Sequence, residues 1–169
     1  MNIVLTGFMA SGKTQISKQL AKLIGYNLVD TDALIVDEMK MSINEIFDTM
    51  GETEFRKIEH NIICKASVLD KTVISTGGGV VLDTSNIKEL RKNGVIVNLS
   101  PDFDVIQERL NYAKSSRPLL KNSDIDSIKK RFYDRLPYYA VCDYKIKVSN
   151  EHEPEYFAKE IVKLLSDSI

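Results

Sequence analysis

The stretch Gly7-Phe8-Met9-Ala10-Ser11-Gly12-Lys13-Thr14 fits the pattern G-x-x-x-x-G-K-[ST] at every fixed position. A short apolar run, residues 2–6, precedes it and suggests a buried strand. Apolar residues at the spacing of one helix face follow it: Ile16, Leu20, Leu23 and Ile24. A strand, a glycine loop and a helix in this order direct backbone N–H groups and the positive end of a helix dipole at one point. The pattern favours a polyphosphate-binding loop over its alternative, a glycine-rich turn with an exposed lysine.

The loop also predicts which atoms hold a nucleoside triphosphate. Lys13 is expected to reach the β- and γ-phosphates, and the Thr14 hydroxyl is expected to bind Mg²⁺. The residues expected to contact the nucleotide through the loop and the first helical turn are Ala10, Ser11, Gly12, Lys13, Thr14 and Gln15.

Composition limits the classes of function. The 169 residues are 43% hydrophobic and 28% charged, which fits one folded domain spanning 1–169 and excludes disorder. A formal net charge of -1 leaves no basic excess for nucleic acid. No apolar run approaches the ~20 residues of a membrane helix, and the N-terminus lacks the pattern of a secretory leader. Two cysteines without metal-ligand spacing suggest reduced thiols, so a cytoplasmic protein is expected.

Short apolar runs alternate with helical patterns along the chain. Strands are predicted at 2–6, 26–30, 71–75, 95–99 and 144–148. Helices are predicted from 13 to 24, across 52–69, from about 101 to 110, from about 124 to 136, and across 154–166, with a further helix start at a capping box of Ser42 and Glu45. Ser100 and Pro101 are interpreted as the N-terminal cap of one helix. This order predicts an α/β fold with a parallel sheet between two helical layers.

Residues 111–123 lose the apolar periodicity and collect polar residues and a proline. A polar stretch of this length inside a compact domain is more often a functional loop than a slack connection.

Five further motifs follow the phosphate loop in a fixed order. They are Asp30-Thr31-Asp32, Gly51-Glu52-x-x-Phe55-Arg56-x-x-Glu59, Ser75-Thr76-Gly77-Gly78-Gly79, Arg117-Pro118-Leu119-Leu120 and Arg135-Leu136-Pro137-Tyr138-Tyr139. In this order and spacing, the set resembles the shikimate kinase family from Asn2 to about Val148. The resemblance implies a three-layer P-loop kinase fold with about five parallel strands and a mobile lid. It also implies Mg²⁺-assisted transfer of a phosphoryl group from ATP to the 3-hydroxyl of shikimate, in the chorismate route to aromatic amino acids.

The resemblance also assigns residues to shikimate. Arg56 and Arg135 match the arginines that bind its carboxylate, a task suited to a planar guanidinium fork. Asp32 matches the aspartate at the ring hydroxyls, a candidate general base. Gly78 and Gly79 match backbone contacts to the substrate, within a substrate-binding region of about 32–60 and the glycine loop. Glu59 and Glu52 are spaced to hold the Arg56 guanidinium.

The lid of the family matches the segment from about 111 to 122. Arg117 in that segment is expected to close over the triphosphate and to act in catalysis together with Lys13 and Asp32. Asp30 matches an aspartate that holds Mg²⁺ through water, beside the direct ligand Thr14. A monomer with only small-molecule substrates is expected.

Each of these residues also has a purely structural alternative. Arg56 could form a surface ion pair on its helix, and Asp30 and Asp32 could end a strand and cap a helix. The three glycines could form a plain turn, Arg135 could be a cation at a helix C-terminus, and Arg117 could be an exposed loop cation.

The nucleotide base is matched less closely. Arg109 lies near the position of an adenine-stacking arginine, and Asn150 lies in the segment where an adenine loop is expected. Ala10 stands where many members of the family have glycine.

Two other functions remain open from the residues alone. One is a small kinase acting on another acceptor, such as gluconate or a nucleoside monophosphate. The other is a nucleotide-dependent switch, which would need no acceptor pocket and would leave Asp32, Arg56 and Arg135 without a role.

Overall fold

A sheet of five strands lies at the centre of the fold. The computed structural model describes residues 1–116 and 125–166, with residues 114–116 described by their backbone alone. The strands are β1 (Asn2–Thr6), β2 (Asn27–Asp30), β3 (Thr72–Ser75), β4 (Gly94–Pro101) and β5 (Tyr144–Val148). Their order is β2-β3-β1-β4-β5, and every pair of neighbours is parallel. The predicted parallel sheet is confirmed.

Seven helices in the described ranges connect and cover these strands. They are α1 (Lys13–Ile24), α2 (Thr31–Met39), α3 (Ile43–Ser67), α4 (Thr84–Arg91), α5 (Phe103–Ser116), α6 (Ile125–Tyr139) and α7 (Pro154–Leu165), with a 3-10 turn at Val80–Leu82. In this part of the chain no helix has the length and hydropathy of a membrane span.

The strands bury both faces of the sheet, because successive side chains point to opposite sides. On one face Val4 and Ile96 belong to a core that also contains residues of α3, α4, α5 and α6. On the other face Leu5 and Val97 pack with residues of α1 and α7. The molecule therefore has the three layers expected from the alternation of strands and helices.

Several predicted helix boundaries are confirmed by local chemistry. Helix α1 ends before Gly25, whose φ of 71° lies in the left-handed region. Helix α3 begins with the predicted capping box: the Ser42 hydroxyl accepts from the Glu45 N–H at 3.2 Å, and the Glu45 carboxylate accepts from the Ser42 N–H at 2.7 Å. Such a box satisfies two helix N–H groups that would otherwise lack partners.

Other expectations about the elements are wrong. Ser100 and Pro101 do not cap a helix; they continue β4 and lie opposite Lys147 and Val148 of β5. Helices α2 and α4 were not predicted, since α2 has no continuous apolar stripe and buries only Thr31 and Ile35. Residues 111–116, which were predicted as part of a loop, instead extend helix α5.

A kink divides helix α3 into two arms. Gly51 has φ 79° and ψ 170°, a non-helical conformation between Ile43–Met50 and the longer arm that follows. A small core of Ile35, Ile46, Phe55 and Ile62 joins both arms to α2. The bend and this core together hold the first arm against α2.

The carboxyl ends of three strands meet at one edge of the sheet. Asp30 at the end of β2 pairs with Ser75 at the end of β3, and Ser75 pairs in turn with Leu5 of β1. Ligands of open α/β sheets bind at this edge. The fold thus brings the phosphate loop, the Asp30-Thr31-Asp32 motif and the glycine motif together.

Candidate active site

Two cavities open at the carboxyl edge of the sheet. The first, of ≈ 460 Å³, runs along residues 10–16 and the segment that precedes α7. The second, of ≈ 510 Å³, lies among the strand ends, α3, the three glycines and α6. Ala10, Lys13 and Thr14 line both cavities. A group bound in the first cavity can therefore meet a group bound in the second beside Lys13.

Lys13 lies at the start of α1, where the loop turns into the helix. Its ammonium group donates to the carbonyl oxygens of Gly7 at 2.6 Å and Phe8 at 2.9 Å. Burial lowers the pKa of Lys13 to about 8, although the charges of Asp32 and Asp30 act in the opposite direction. The lysine is thus held across the loop by weak carbonyl partners, which an anionic phosphate would outcompete.

Arg109 of α5 joins the phosphate loop to the segment after β5. Its guanidinium donates to the Ala10 carbonyl at 2.9 Å, to the Asn150 side chain at 2.8 Å and to the Ser149 carbonyl at 3.1 Å. Ala10 has a φ of 58°, in the left-handed region that favours glycine, which is the residue expected there from the family pattern. Arg109 and Asn150 both line the first cavity, as do the predicted loop contacts from Ala10 to Gln15.

The far wall of the first cavity was not predicted. It is formed by His152, Glu153, Pro154 and Phe157. The His152 ring is exposed and stacks on Tyr156 with 3.9 Å between ring centroids. No sequence motif marks this wall; an aromatic cluster at the start of α7 is the one available signal.

Asp30 caps helix α2 and also faces the second cavity. One carboxylate oxygen accepts from the backbone N–H groups of Asp32 at 3.0 Å and Ala33 at 3.2 Å. The other accepts from the Ser75 hydroxyl at 3.2 Å. Asp30 therefore does end a strand and cap a helix, as the structural alternative stated. It also lines the second cavity.

The residues around Thr14 fit a magnesium ion. Thr14, Asp30 and Ser75 all line the second cavity and offer only oxygen donors, which Mg²⁺ prefers. Both carboxylate oxygens of Asp30 already accept hydrogen bonds, so this residue suits contact through a water. Among the described residues no group of three or more His, Cys, Asp and Glu could hold a metal. A site with few protein ligands is what Mg²⁺ uses, because it keeps several waters.

Asp32 lies in the first turn of α2 and faces the glycine motif. Burial raises the pKa of its carboxyl group, and the charge of Asp30 raises it further; Lys13 and Arg56 act against both. The named cations show that Asp32 lies between the phosphate loop and helix α3. This is a suitable place for a group that must contact an acceptor hydroxyl.

Arg56 is held on α3 by two glutamates of the same helix. Its guanidinium donates to Glu59 at 2.8 Å and to Glu52 at 3.2 Å. Glu59 is 1% exposed, and burial raises its pKa while the bond from Arg56 lowers it. The ion pair is therefore mostly buried, unlike the solvated pair considered as the alternative.

The glycine motif follows β3 and passes between α2, α3 and α6. A β-carbon on Gly77 would collide with the Asp32 carboxylate, and one on Gly79 would lie 3.0 Å from the Arg56 guanidinium carbon. A β-carbon on Gly78 would find only ordinary contacts at 3.8 Å. Gly77 and Gly79 thus make room for side chains of the protein itself, a role that the sequence did not reveal.

Arg135 and Tyr139 reach the same motif from α6. The Tyr139 hydroxyl donates to the Gly78 carbonyl oxygen at 2.6 Å, and an Arg135 guanidinium nitrogen lies 3.5 Å from that oxygen. Arg135 lines the second cavity opposite Arg56, so two guanidinium groups face one space. Helix α6 continues past Arg135 to Tyr139, so this residue is not a terminal helix cation.

The second cavity contains residues that sequence patterns missed. Ile43, Asn44 and Phe47 form part of its α3 wall, beside Phe55 of the quoted motif, and Arg131 lies one turn before Arg135. Arg117 and the predicted lid beyond residue 116 lie outside the described residues. The structure therefore brings together every other predicted site residue around two adjoining cavities.

A family model described as shikimate kinase matches residues 9–166. The chain belongs to the shikimate kinase family. It is 45% identical over 164 residues to a shikimate kinase of Caldicellulosiruptor saccharolyticus, a match that covers 96% of this chain and 94% of the relative.

Solved structures of shikimate kinases have the same fold. One from Acinetobacter baumannii in complex with shikimate has a TM-score of 0.86 and 30% identity, and the match covers 99% of this chain and 94% of that one. One from Bacteroides thetaiotaomicron has a TM-score of 0.89 and 29% identity, with 98% of each chain covered. The P-loop kinase fold with a central parallel sheet is confirmed.

Proposed function

We propose that the first cavity binds ATP and the second binds shikimate, so that the phosphoryl group is transferred beside Lys13. The reaction of the family is ATP-dependent phosphorylation of shikimate, at its 3-hydroxyl group, in the biosynthesis of aromatic amino acids. The observation that supports this arrangement is the shared wall of the two cavities, Ala10, Lys13 and Thr14. It provides one place where a terminal phosphate and an acceptor hydroxyl can meet.

The two guanidinium groups of the second cavity suit the carboxylate of shikimate. Arg56 and Arg135 face the same space from different helices, and each offers a planar pair of donors. Glu59 and Glu52 hold Arg56 in place, so little side-chain entropy is lost when the carboxylate binds. The backbone of Gly78 and Gly79 forms the adjoining wall.

Asp32 is the proposed partner of the attacking hydroxyl. It lines the same cavity as the two arginines and is close enough to Lys13 and Arg56 for both charges to act on it, so a ring held by its carboxylate can present a hydroxyl to it. In its ionised form the carboxylate accepts the hydroxyl proton and orients the oxygen toward the phosphate. Little covalent chemistry is needed beyond this alignment.

The phosphates of ATP are assigned to the loop and to α1. Backbone N–H groups from Ala10 to Gln15 and the start of α1 surround an anion, and Lys13 adds a charge at the transferred end. Thr14 and Asp30 are the proposed holders of Mg²⁺, the latter through water. When bound, Mg²⁺ neutralises charge on the phosphate oxygens.

Arg117 is proposed to close over the transferred phosphate as part of the 111–122 lid. Its guanidinium would stabilise the charge that develops in the transition state, an effect worth on the order of 10³-fold in related chemistry. Closure would also exclude water, which limits hydrolysis of ATP.

Two broader expectations belong to the same proposal. We place the enzyme in the cytoplasm, where ATP is available, and propose that it acts as a monomer. Light scattering of the purified chain tests the second point, and a dimer mass would contradict it.

Binding measurements on two single variants test the division between the cavities. Arg135→Ala is expected to lose shikimate binding and to retain ATP binding, whereas Lys13→Ala is expected to show the reverse. Titration calorimetry with each substrate measures both. Equal loss of both substrates in Arg135→Ala would contradict the assignment.

A further inference from the structure

The carbonyl group of Gly78 has two possible donors on helix α6. The Tyr139 hydroxyl donates to it at 2.6 Å, which is a short and strong bond, whereas the Arg135 nitrogen at 3.5 Å is at the limit of a hydrogen bond. Residues four apart lie on the same helix face, which is why both reach one acceptor. Tyr139 therefore takes the carbonyl, and the Arg135 guanidinium stays at the edge of bonding distance from it.

Tyr139 is fixed by its surroundings. It is 5% exposed, and its ring meets the Phe8 ring of the phosphate loop edge to face, with 6.5 Å between centroids. Burial raises the pKa of Tyr139 to about 12, although the charge of Arg135 and its interaction with the hydroxyl act in the opposite direction, so the hydroxyl remains a donor at neutral pH. The fold thus fixes the position of the Tyr139 ring and keeps its hydroxyl protonated.

We propose that Tyr139 is a positioning residue that satisfies the Gly78 carbonyl and so keeps Arg135 free to bind the carboxylate of the acceptor. Without the hydroxyl, the carbonyl oxygen would need another donor, since an unsatisfied partly buried carbonyl is costly. The nearest one is Arg135, whose charge favours the bond. Arg135 would then turn toward Gly78 and compete with the substrate for its own guanidinium.

This inference rests on the proposed assignment of Arg135 to the shikimate carboxylate. It goes beyond that assignment because Tyr139 touches neither substrate and acts through another residue. The effect should therefore appear in the affinity for the acceptor and not in the affinity for ATP.

Tyr139→Phe tests the inference, because the variant keeps the ring and its contact with Phe8. The KM for shikimate is expected to rise about five- to tenfold, the equivalent of one hydrogen bond. The kcat and the KM for ATP should stay within about twofold. Tyr138→Phe is the matched control, since Tyr138 is the preceding residue and is 43% exposed. This variant is expected to behave as the parent chain.

A double-variant cycle separates positioning from general destabilisation. If Tyr139 acts through Arg135, the change Tyr139→Phe should have no further effect on kcat/KM for shikimate in an Arg135→Gln background. Additive losses, or equal losses for ATP and shikimate, would overturn the inference. A parent chain that fails to phosphorylate shikimate would instead overturn the proposed function.

Discussion

The Arg56 guanidinium occupies the space that a β-carbon on Gly79 would need. An ideal β-carbon there would lie 2.9 Å from one guanidinium nitrogen, closer than β-carbons approach other atoms in proteins, and 3.0 Å from the guanidinium carbon. Gly77 has the same relationship to the Asp32 carboxylate. The two glycines therefore allow the proposed carboxylate-binding group and the proposed base to approach the same loop.

Replacing Gly77 or Gly79 with alanine should separate the proposed role of Asp32 as a base from that of Arg56 in binding the carboxylate. Gly79→Ala displaces Arg56 and is expected to raise the KM for shikimate at least about tenfold, because a misplaced guanidinium loses its bidentate contact. Gly77→Ala displaces Asp32 and is expected to lower kcat about tenfold or more, because the base loses its alignment. Steady-state kinetics with both substrates measures the split, and the KM for ATP should change little in Gly79→Ala. Identical effects of the two variants on both parameters would contradict this interpretation.

The buried ion pair of Arg56 and Glu59 provides a second prediction. Glu59→Gln keeps the shape of the side chain but removes the charge beside Arg56, which is 24% exposed in its side chain. We expect a loss of about 1–3 kcal/mol in the free energy of unfolding, because a mostly buried cation loses its partner. The KM for shikimate should rise as well.

Glu52→Gln is the control for that variant. Glu52 also bonds to Arg56, at 3.2 Å, but its side chain is 68% exposed. An exposed pair contributes little, so its effect on urea unfolding should be under about 1 kcal/mol. Equal effects of the two variants would show that burial of Glu59 is not what matters.

The raised pKa of Asp32 and the lowered pKa of Lys13 predict how activity depends on pH. Asp32 must be ionised to act as a base, and its pKa is raised, so kcat/KM should fall at a higher pH than for an ordinary carboxyl group as the solution is acidified. Lys13 is charged below its pKa of about 8, so kcat/KM for ATP should also fall as the pH rises through that value. Rates measured from about pH 5 to about pH 10 test both limbs. A profile that stays flat up to about pH 10 would contradict the role of Lys13.

Arg131 supplies a further cation at the second cavity. It is exposed, lies one turn before Arg135 and has no ion-pair partner among the described residues. Arg131→Gln is expected to raise the KM for shikimate about two- to fivefold at low salt, with little change in kcat, because it attracts an anionic acceptor from solution. The difference in KM between this variant and the parent chain should shrink as salt is added. Lys130→Gln, on the neighbouring residue outside this cavity, is the control; an equal effect there would contradict the prediction.

The sequence patterns correctly predicted those features of the fold that depend on interactions between residues close together in the chain. The phosphate loop, the capping box of Ser42 and the end of α1 at Gly25 all depend on residues close together in the chain. Ser100 and Pro101 were misinterpreted because their strand conformation depends on pairing with β5, which is far away in sequence. Helix α2 was missed because its apolar residues form no continuous stripe, and only Thr31 and Ile35 are buried.

In the candidate site, too, patterns along the chain marked single residues but did not predict the contacts between separate elements. Family motifs marked Asp32, Arg56 and Arg135, but no pattern showed that Gly77 and Gly79 make room for two of them, since those contacts join different elements. Tyr139 stood in a quoted motif without a role until its bond to Gly78 was seen. The wall of the first cavity around His152 comes from a segment with no motif at all.

The most direct test of the central claim is the formation of ADP from ATP and Mg²⁺ with different acceptors. Shikimate, gluconate, AMP and no acceptor are compared on the purified chain, with Arg135→Ala as a control for the acceptor cavity. Turnover with shikimate alone, lost in the variant, is the predicted result. ATP binding without shikimate-dependent turnover, or equal turnover with gluconate or AMP, would contradict the account.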